Sequence, residues 1–131
     1  MILSKLTEDW IDTYNLASSH DTKTMDIRIA IMERTLQPRT YAKAVIDGVT
    51  AAIGFGVVEG SWLGVFSIAT HPDMRHRGAA SAVNCALGSW AQKLGAKYAY
   101  LQVEAENKAA KALYAKLGFK DAYRYWYRDL I

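Results

Sequence analysis

The sequence predicts a single α/β domain of the α+β type, in which a mixed, largely antiparallel sheet is flanked by helices. Three observations predict this class. The hydrophobic period changes from helical to strand-like near residue 40 and becomes helical again after residue 80. Short turns join the strand-like segments between these points, as is typical of antiparallel neighbours. The 131 residues suffice for one hydrophobic core but not for two, so a single domain over residues 1–131 is expected.

The first forty residues predict a short strand and two helices. Residues 2–6 are the candidate strand. Thr7 precedes two acidic residues, which is typical of a helix N-cap, and the helix is predicted to continue to about residue 19. A second helix is predicted to begin at Thr22 or Thr24 and to end before Pro38, because the residue before a proline disfavours helical geometry.

The following thirty residues predict an antiparallel meander of three strands. Residues 40–46 lead into Asp47-Gly48, a pair typical of two-residue hairpin turns. Residues 49–58 supply the partner strand, and Trp62–Thr70 forms the third.

The second half of the chain predicts two helices and two strands, which gives the order βααβββαβαβ. A long helix is expected over residues 82–94, with Gly95 at the position of a helix-ending glycine. A strand over 98–103, a helix over 108–117 and a final strand over 123–127 are expected to follow. Ending on one strand would leave an open sheet edge, which is a liability. Three explanations stay open: a shorter sheet, an edge covered by a second copy in a homodimer, or a chain that is the C-terminal part of a longer protein.

A basic turn with one glycine lies between the third strand and the long helix. It reads Arg75-His76-Arg77-Gly78-Ala79-Ala80. A helix N-terminus beside cationic side chains suits a phosphate or pyrophosphate. The turn has neither the lysine–hydroxyl pair of a P-loop nor the three glycines of a dinucleotide fingerprint. Its pattern, Arg/Gln-x-x-Gly-x-Gly/Ala, resembles the acyl-CoA pyrophosphate loop of the GNAT superfamily of N-acetyltransferases.

A second motif strengthens this resemblance. Residues 101–119 match the pattern Asn…Ala-x-x-Leu-Tyr-x-x-x-Gly-Phe of the GNAT strand and last helix, with Asn107 and Tyr114 two helical turns apart. The resemblance implies the GNAT acyl-CoA N-acyltransferase fold. It also implies transfer of an acetyl group from acetyl-CoA, as cosubstrate, to a primary amine of a small molecule or peptide, directly within a ternary complex.

The resemblance further implies which residues bind acetyl-CoA. The end of the third strand would pair with the pantetheine amides, and the basic turn with the start of the helix would hold the pyrophosphate. Asn107 would contact the CoA arm and could also cap its own helix. The implied cofactor-binding residues are Ile68, Ala69, Thr70, Arg75, His76, Arg77, Gly78, Ala79, Ala80, Ser81 and Asn107.

Two catalytic roles follow from the same resemblance. Tyr114 would protonate the departing CoA thiolate; the alternative is a half-buried packing aromatic. The general base is less defined, because Gln102 stands where some relatives carry glutamate. Glu104 is the candidate base, with a solvated carboxylate as its alternative. Glu59 acting through water, or loss of the amine proton to solvent, also stays open.

Composition restricts the other function classes. The formal net charge is only +3, and the basic residues are spread along the chain, so nucleic-acid binding is not expected. Three scattered histidines and one cysteine predict no metal site and a reducing cytoplasm. No apolar run has the roughly 20 residues of a membrane span. The remaining alternative to an enzyme is a non-catalytic acyl-CoA-binding module with the same fold.

Overall fold

The computed structural model describes residues 2–3, 5–17, 22–102, 112, 114–117, 120–122 and 125–129. Residues 112 and 114–116 are helical, within the predicted helix over 108–117. The other helices and strands are, in chain order, β1 (Ile2–Leu3), α1 (Glu8–Ala17), α2 (Thr22–Glu33), β2 (Arg39–Ile46), β3 (Val49–Glu59), β4 (Trp62–Thr70), a 3₁₀ helix (Pro72–Met74), α3 (Ala79–Lys93), β5 (Tyr98–Gln102), β6 (Lys120–Ala122) and β7 (Tyr125–Asp129).

The described strands form one seven-stranded sheet in the order β1-β2-β3-β4-β5-β7-β6. Every neighbouring pair is antiparallel except β4 and β5, which are parallel and joined by the α3 crossover. This confirms the predicted mixed, largely antiparallel sheet and its three-stranded meander. It also places the parallel pair beside the basic turn.

The sheet carries a separate apolar cluster on each face. On one face, α3 packs its buried Val83 and Leu87 against the sheet. On the other face, the buried aromatic side chains of Trp10, Tyr41 and Phe55 pack together beneath α1 and α2. Because side chains alternate along a strand, residues 52–58 of β3 face the two clusters alternately.

Two glycines adopt the hairpin-turn and helix-end conformations that the sequence predicts. Asp47 and Gly48 both have positive φ, 51° and 78°, which is the conformation of a type I′ hairpin turn. Gly95, at φ 92°, follows the end of α3, and its N–H donates to the Gln92 carbonyl at 3.0 Å. Such a glycine satisfies carbonyl groups that the helix leaves without partners.

The prediction of one strand after the last helix is wrong. Two strands lie there, and β7 sits between β5 and β6, so β6 forms the sheet edge. Lys120–Ala122 lacks β-branched and aromatic residues, and it is a strand because it pairs in register with β7. The observed order therefore has one more strand than βααβββαβαβ, and the argument for a dimer through residues 123–127 no longer applies.

Buried hydrogen bonds attach α1 to the sheet. The indole N–H of Trp10 donates to the carbonyls of Ala42 and Gly54, at 3.1 and 3.2 Å. At the start of the same helix, the Asp9 carboxylate accepts from Lys43 Nζ at 2.6 Å and from Thr50 Oγ1 at 2.8 Å. These contacts join α1 to β2 and β3. Among the described residues, no helix is both long and apolar enough to cross a membrane.

The Asp9 carboxylate should make the stability of the domain pH-dependent. The Lys43 ammonium, assisted by the Thr7 and Thr50 hydroxyls, holds the pKa of Asp9 well below its usual range. A lowered folded-state pKa stabilises the fold above the unfolded pKa near 3.8, and this stability is lost as the pH falls through the folded-state pKa. We expect Asp9→Asn to lower the free energy of unfolding at pH 7 by about 1 kcal/mol, since the pair is partly exposed.

Urea denaturation between pH 7 and pH 2.5 checks this expectation. The difference between wild type and Asp9→Asn should shrink below about pH 4. Asp12→Asn, an exposed change on the same helix, is the control and should have an effect below about 0.5 kcal/mol. A difference for Asp9→Asn that stays constant over this pH range would contradict the assignment.

Candidate functional site

A β-bulge interrupts strand β4 near its middle. Ile53 pairs with Ala69 but Phe55 pairs with Phe66, so two β4 residues, Ser67 and Ile68, lie opposite the single residue between Ile53 and Phe55. Ser67 has φ 57°, in the left-handed region that non-glycine residues rarely adopt. The extra residue changes the alternation of side chains, so that Phe66 and Ala69 face α1 and α2 while Ile68 packs against the α3 cluster.

A glycine lets helix α3 approach the sheet at this bulge. Gly54 lies opposite the bulge, and a Cβ added to it would come 2.5 Å from Ile68 Cδ1 and 2.7 Å from Val83 Cγ1. Both distances are shorter than real Cβ contacts allow. Close packing of α3 on the bulge therefore depends on the absence of a side chain at position 54.

The described pairing of strands β4 and β5 ends before the bulge. Their pairing runs from Trp62–Tyr98 to Val65–Leu101, whereas β4 continues as a strand to Thr70. Within the described residues, 66–70 have no partner strand on the β5 side. Backbone groups there have hydrogen-bonding capacity that a ligand can use, much as a peptide adds a strand to a sheet edge.

The direction of the backbone groups shows which residues can pair with such a ligand. The His71 N–H donates to the Ala51 carbonyl of β3 at 2.7 Å. Because successive residues turn their backbone groups to alternate strand edges, Thr70 and Ile68 face the open edge and Ala69 faces β3. Of the three residues predicted to pair with pantetheine, two therefore direct N–H and C=O groups into the gap.

The basic turn continues from this open edge into helix α3. His71 Nδ1 accepts a hydrogen bond from the Asp73 N–H at 3.1 Å and thereby caps the 3₁₀ helix. Gly78, at φ 78°, is the N-cap of α3, and its carbonyl accepts the first helical bond from the Ala82 N–H. The N–H groups of residues 79–81 precede that bond and have no partner within the helix. They form a site suited to an anion.

Two arginines and a histidine lie in the turn before this helix terminus. Arg75, His76 and Arg77 are all exposed. Arg77 Nη1 lies 3.9 Å from Asp47 Oδ2 of the β2–β3 hairpin, and both side chains are exposed. Exposed pairs of this kind contribute little free energy, so Arg77 can exchange Asp47 for a phosphate at small cost.

Gly78 is required by its backbone conformation and leaves open space in front of the helix. No heavy atom lies within 4 Å of the position that a Cβ would take at Gly78. Its positive φ disfavours other residues. The free volume at this position allows a bound group to approach the backbone closely.

Tyr114 is buried on the α3 face of the sheet. Its side chain is 6% exposed and belongs to the cluster formed with Val83, Leu87 and Leu101. Burial raises the pKa of Tyr114 to about 12, and a hydrogen bond from the Asn84 side chain opposes part of this increase. The phenol is therefore a proton donor at neutral pH. The burial of Tyr114 is compatible with both roles considered for it, packing in the core and donation of a proton.

Two polar contacts at the site were not predicted from the sequence. Asn84 Nδ2 donates to the Ala80 carbonyl at 2.9 Å while its amide also lies beside Tyr114. Ser67 Oγ donates to the Tyr14 hydroxyl at 3.3 Å, which connects α1 to the bulge. Asn84 lies in α3 and Ser67 in β4, and neither belongs to a sequence motif, so the sequence did not indicate these contacts. Glu104 and Asn107 lie outside the described residues, and their predicted roles stay predictions.

A cavity of about 560 Å³ opens on the opposite face of the sheet from α3. Residues of α2, β3, β4 and β5 line it, and Phe66 and Ser67 bring it to the bulge. The β4 bulge therefore lies between the α3 face on one side and a cavity on the other. The described residues contain no group of three or more histidine, cysteine, aspartate or glutamate side chains that could hold a metal ion.

Comparison with known proteins identifies the family. A family model described as Probable histone acetyltransferase Rv0428c C-terminal matches residues 2–128. The chain belongs to this family of GNAT N-acetyltransferases. The GNAT assignment made from the two sequence motifs is thereby confirmed.

Individual relatives agree with this assignment. YobR of Bacillus subtilis strain 168, described as an uncharacterized N-acetyltransferase, is 34% identical over 98 residues, which are 75% of this chain. The chain spans about 40% of the length of YobR. The ribosomal-protein-S18-alanine N-acetyltransferase of Escherichia coli has a TM-score of 0.78 at 24% identity, and the match covers 99% of this chain and 93% of that one.

A further structural relative contains coenzyme A. The PaiA N-acetyltransferase of Thermoplasma acidophilum, solved with coenzyme A, has a TM-score of 0.72 at 13% identity. The match covers 97% of this chain and 95% of that chain. At such identities, these two solved structures establish the fold of this GNAT domain.

Ionisation of Tyr114 tests the environment that the fold gives it. We expect the absorbance of ionised tyrosine at 295 nm to rise equally in wild type and Tyr114→Phe up to about pH 11, because the buried phenol ionises only near 12. An extra tyrosine titrating in the wild type near pH 10, the value of a free phenol, would show that Tyr114 is exposed to water. Near-UV circular dichroism over the same range controls for unfolding.

Proposed function

We propose that this GNAT domain transfers an acetyl group from acetyl-CoA to a primary amine, directly within a ternary complex. One observation carries the proposal. The edge of β4 that no described strand covers leads from the bulge at Ser67 to the N-terminus of α3, which has no side-chain cap and is preceded by the exposed side chains of residues 75–77. A chain of amides followed by a pyrophosphate matches this order of backbone groups and positive charge.

The two ends of acetyl-CoA would be held by different forces. The pantetheine amides would pair with the backbone of Ile68 and Thr70 as an additional strand. The pyrophosphate would accept hydrogen bonds from the N–H groups of residues 79–81, with Arg75 and Arg77 adding charge. Asn107 would contact the CoA arm further along.

The thioester would then lie at the bulge. There the reaction requires a neutral amine, a stabilised oxyanion and a proton for the leaving thiolate. The neutral amine nitrogen attacks the thioester carbon, and the carbonyl electrons move to oxygen, where the Ile68 backbone N–H stabilises the oxyanion. When the C–S bond breaks, sulfur leaves with the electron pair and takes a proton from Tyr114. The products are the amide and CoA, and Tyr114 regains a proton from solvent.

The attacking amine must also lose a proton. Glu104, two residues after the end of β5 in the sequence, stays the proposed base. Glu59 pairs with Trp62, five residues before Ser67 along β4, so it lies roughly 16 Å from the bulge along the strand. This separation excludes direct proton transfer to Glu59 and restricts it to a water chain.

The names of the relatives favour a peptide or protein amine among possible acceptors. The matching family is named for a probable histone acetyltransferase, and the Escherichia coli relative is named for an alanine of ribosomal protein S18. The proposed acceptor stays a primary amine of a peptide or of a small molecule, and these names favour the peptide.

Binding of acetyl-CoA tests the cofactor site without any knowledge of the acceptor. We expect wild type to bind acetyl-CoA in the micromolar range in a calorimetric titration, and Gly78→Glu to weaken binding at least 100-fold. The added carboxylate would occupy the open space at the helix N-terminus and repel the pyrophosphate.

Gly95→Glu is the matched control for this titration. Gly95 also has positive φ, 92°, also has no heavy atom within 4 Å of a Cβ position, and follows the opposite end of α3. The two variants share the strain and the charge change, so only Gly78→Glu should lose binding. Equal affinities for both variants would place the cofactor elsewhere.

Replacement of Tyr114 tests the catalytic step separately from binding. We expect Tyr114→Phe to lower kcat by 10²- to 10³-fold, in the range typical of a lost general acid, while the Kd for acetyl-CoA stays within threefold. Release of free CoA thiol in the presence of an amine panel measures kcat. Tyr41→Phe, which alters a buried tyrosine on the opposite face, is the control and should leave kcat within twofold.

The outcomes of this experiment separate the two candidate roles. Unchanged turnover in Tyr114→Phe would assign this residue to packing alone. Tight acetyl-CoA binding without turnover on any amine would favour the non-catalytic acyl-CoA-binding module.

A further inference from the structure

The cavity beside the bulge has an aromatic wall. The rings of Phe55, Phe66, Tyr100 and Trp62 line it, and they contact one another in this order along the sheet. The ring centroids are 6.5 Å apart for Phe55 and Phe66, 6.0 Å for Phe66 and Tyr100, and 6.0 Å for Tyr100 and Trp62. Such tilted and edge-to-face contacts hold the rings in place, so the wall is preformed.

A glycine in the floor of the cavity permits this arrangement. A Cβ on Gly64 would come 2.6 Å from Phe66 Cε2 and 2.9 Å from the Tyr100 hydroxyl oxygen. Both side chains therefore lie across strand β4 at the position where another residue would project. The space that they enclose with α2 depends on this glycine.

Large apolar side chains around this cavity are left in contact with water. Ile31 of α2 is 62% exposed, Trp62 is 41% exposed and Phe66 is 39% exposed. Exposed apolar surface concentrated at one concave site is typical of a ligand-binding site, because a ligand that covers it gains the free energy of burial. A ligand group that covers this surface should itself be apolar.

Few charged groups line the cavity. Of the described residues that line it, only Arg28 and Glu59 carry charge. Glu59 is at the Trp62 end, whereas Phe66 and Ser67 are at the bulge. The β4 residues at the bulge end of the cavity are therefore an aromatic ring and an uncharged hydroxyl group.

We propose that the acceptor carries an aromatic or large aliphatic group one to three carbon atoms from its primary amine, and that this group binds in the aromatic cavity. The inference rests on the proposed function, which places the reacting amine at the bulge, one residue from Phe66. The faces of the rings also attract the ammonium form of the amine before it loses its proton. Arylalkylamines and peptides with a large apolar N-terminal residue share this chemistry.

Binding of matched amines to the CoA complex tests the proposal without requiring turnover. Calorimetry of the CoA-saturated protein would compare phenylethylamine with ethylamine, and an N-terminal phenylalanine tripeptide amide with its N-terminal alanine counterpart. We expect the aromatic member of at least one pair to bind at least tenfold more tightly, and the pair concerned identifies a small-molecule or a peptide source. Equal affinity within both pairs, or no binding of either aromatic amine, would overturn the proposal.

Two isoleucines of helix α2 provide a matched pair of variants. Ile31 lines the cavity, whereas Ile27, one helical turn earlier and 53% exposed, does not. Because both side chains are exposed, replacement by serine should leave the fold intact. We expect Ile31→Ser to weaken binding of the aromatic amine about fivefold or more, and Ile27→Ser to change it less than twofold. Equal effects of the two variants would contradict this location.

Failure of the inference can be told apart from failure of the proposed function. If wild type did not bind acetyl-CoA, the proposed function would be wrong, and the acceptor assignment would fail with it. Binding of acetyl-CoA together with acetylation of small polar amines at the same kcat/KM as aromatic ones would leave the function intact and overturn the acceptor class.

Discussion

The central structural constraint is the bulge at Ser67 in strand β4. A regular strand would continue to pair with β5 and would keep Phe66, Ile68 and Thr70 on one face of the sheet. The extra residue changes this alternation, and pairing with β5 stops at Val65. The backbone beyond the bulge is held by β3 on one side, and on the other side no described strand pairs with it.

This constraint divides the domain into two functional halves. On the α3 face, Gly54 admits close packing of the helix, whose N-terminus and basic turn then follow directly from the open edge. On the α1 and α2 face, the aromatic cavity ends at the same bulge. In the proposed reaction, an acyl group delivered from the first half would meet an amine held in the second.

The features of the fold that depend on neighbouring residues were predicted from the sequence. Those that depend on contacts between distant residues were missed. The Asp47-Gly48 turn, the basic turn and the Gly95 helix end each depend on neighbouring residues and were predicted. The bulge was not, because residues 66–68 have the composition of an ordinary strand. Strand β6 was missed because Lys-Asp-Ala has little strand propensity without β7. The contacts of Asn84 with Tyr114 and of Tyr14 with Ser67 depend on tertiary packing, and the aromatic cavity depends on strand register.

The most direct test of the proposed cofactor site is amide hydrogen exchange, followed by NMR with and without CoA. We expect CoA to slow exchange at the amides of Ile68, Thr70 and residues 79–81, which face the edge beyond the bulge or begin α3. The amides of β2 and the β3 residues that pair with it, already bonded within the sheet, should exchange at the same rate in both states. CoA binding that leaves those five amides unchanged, or that protects another part of the domain instead, would contradict this site.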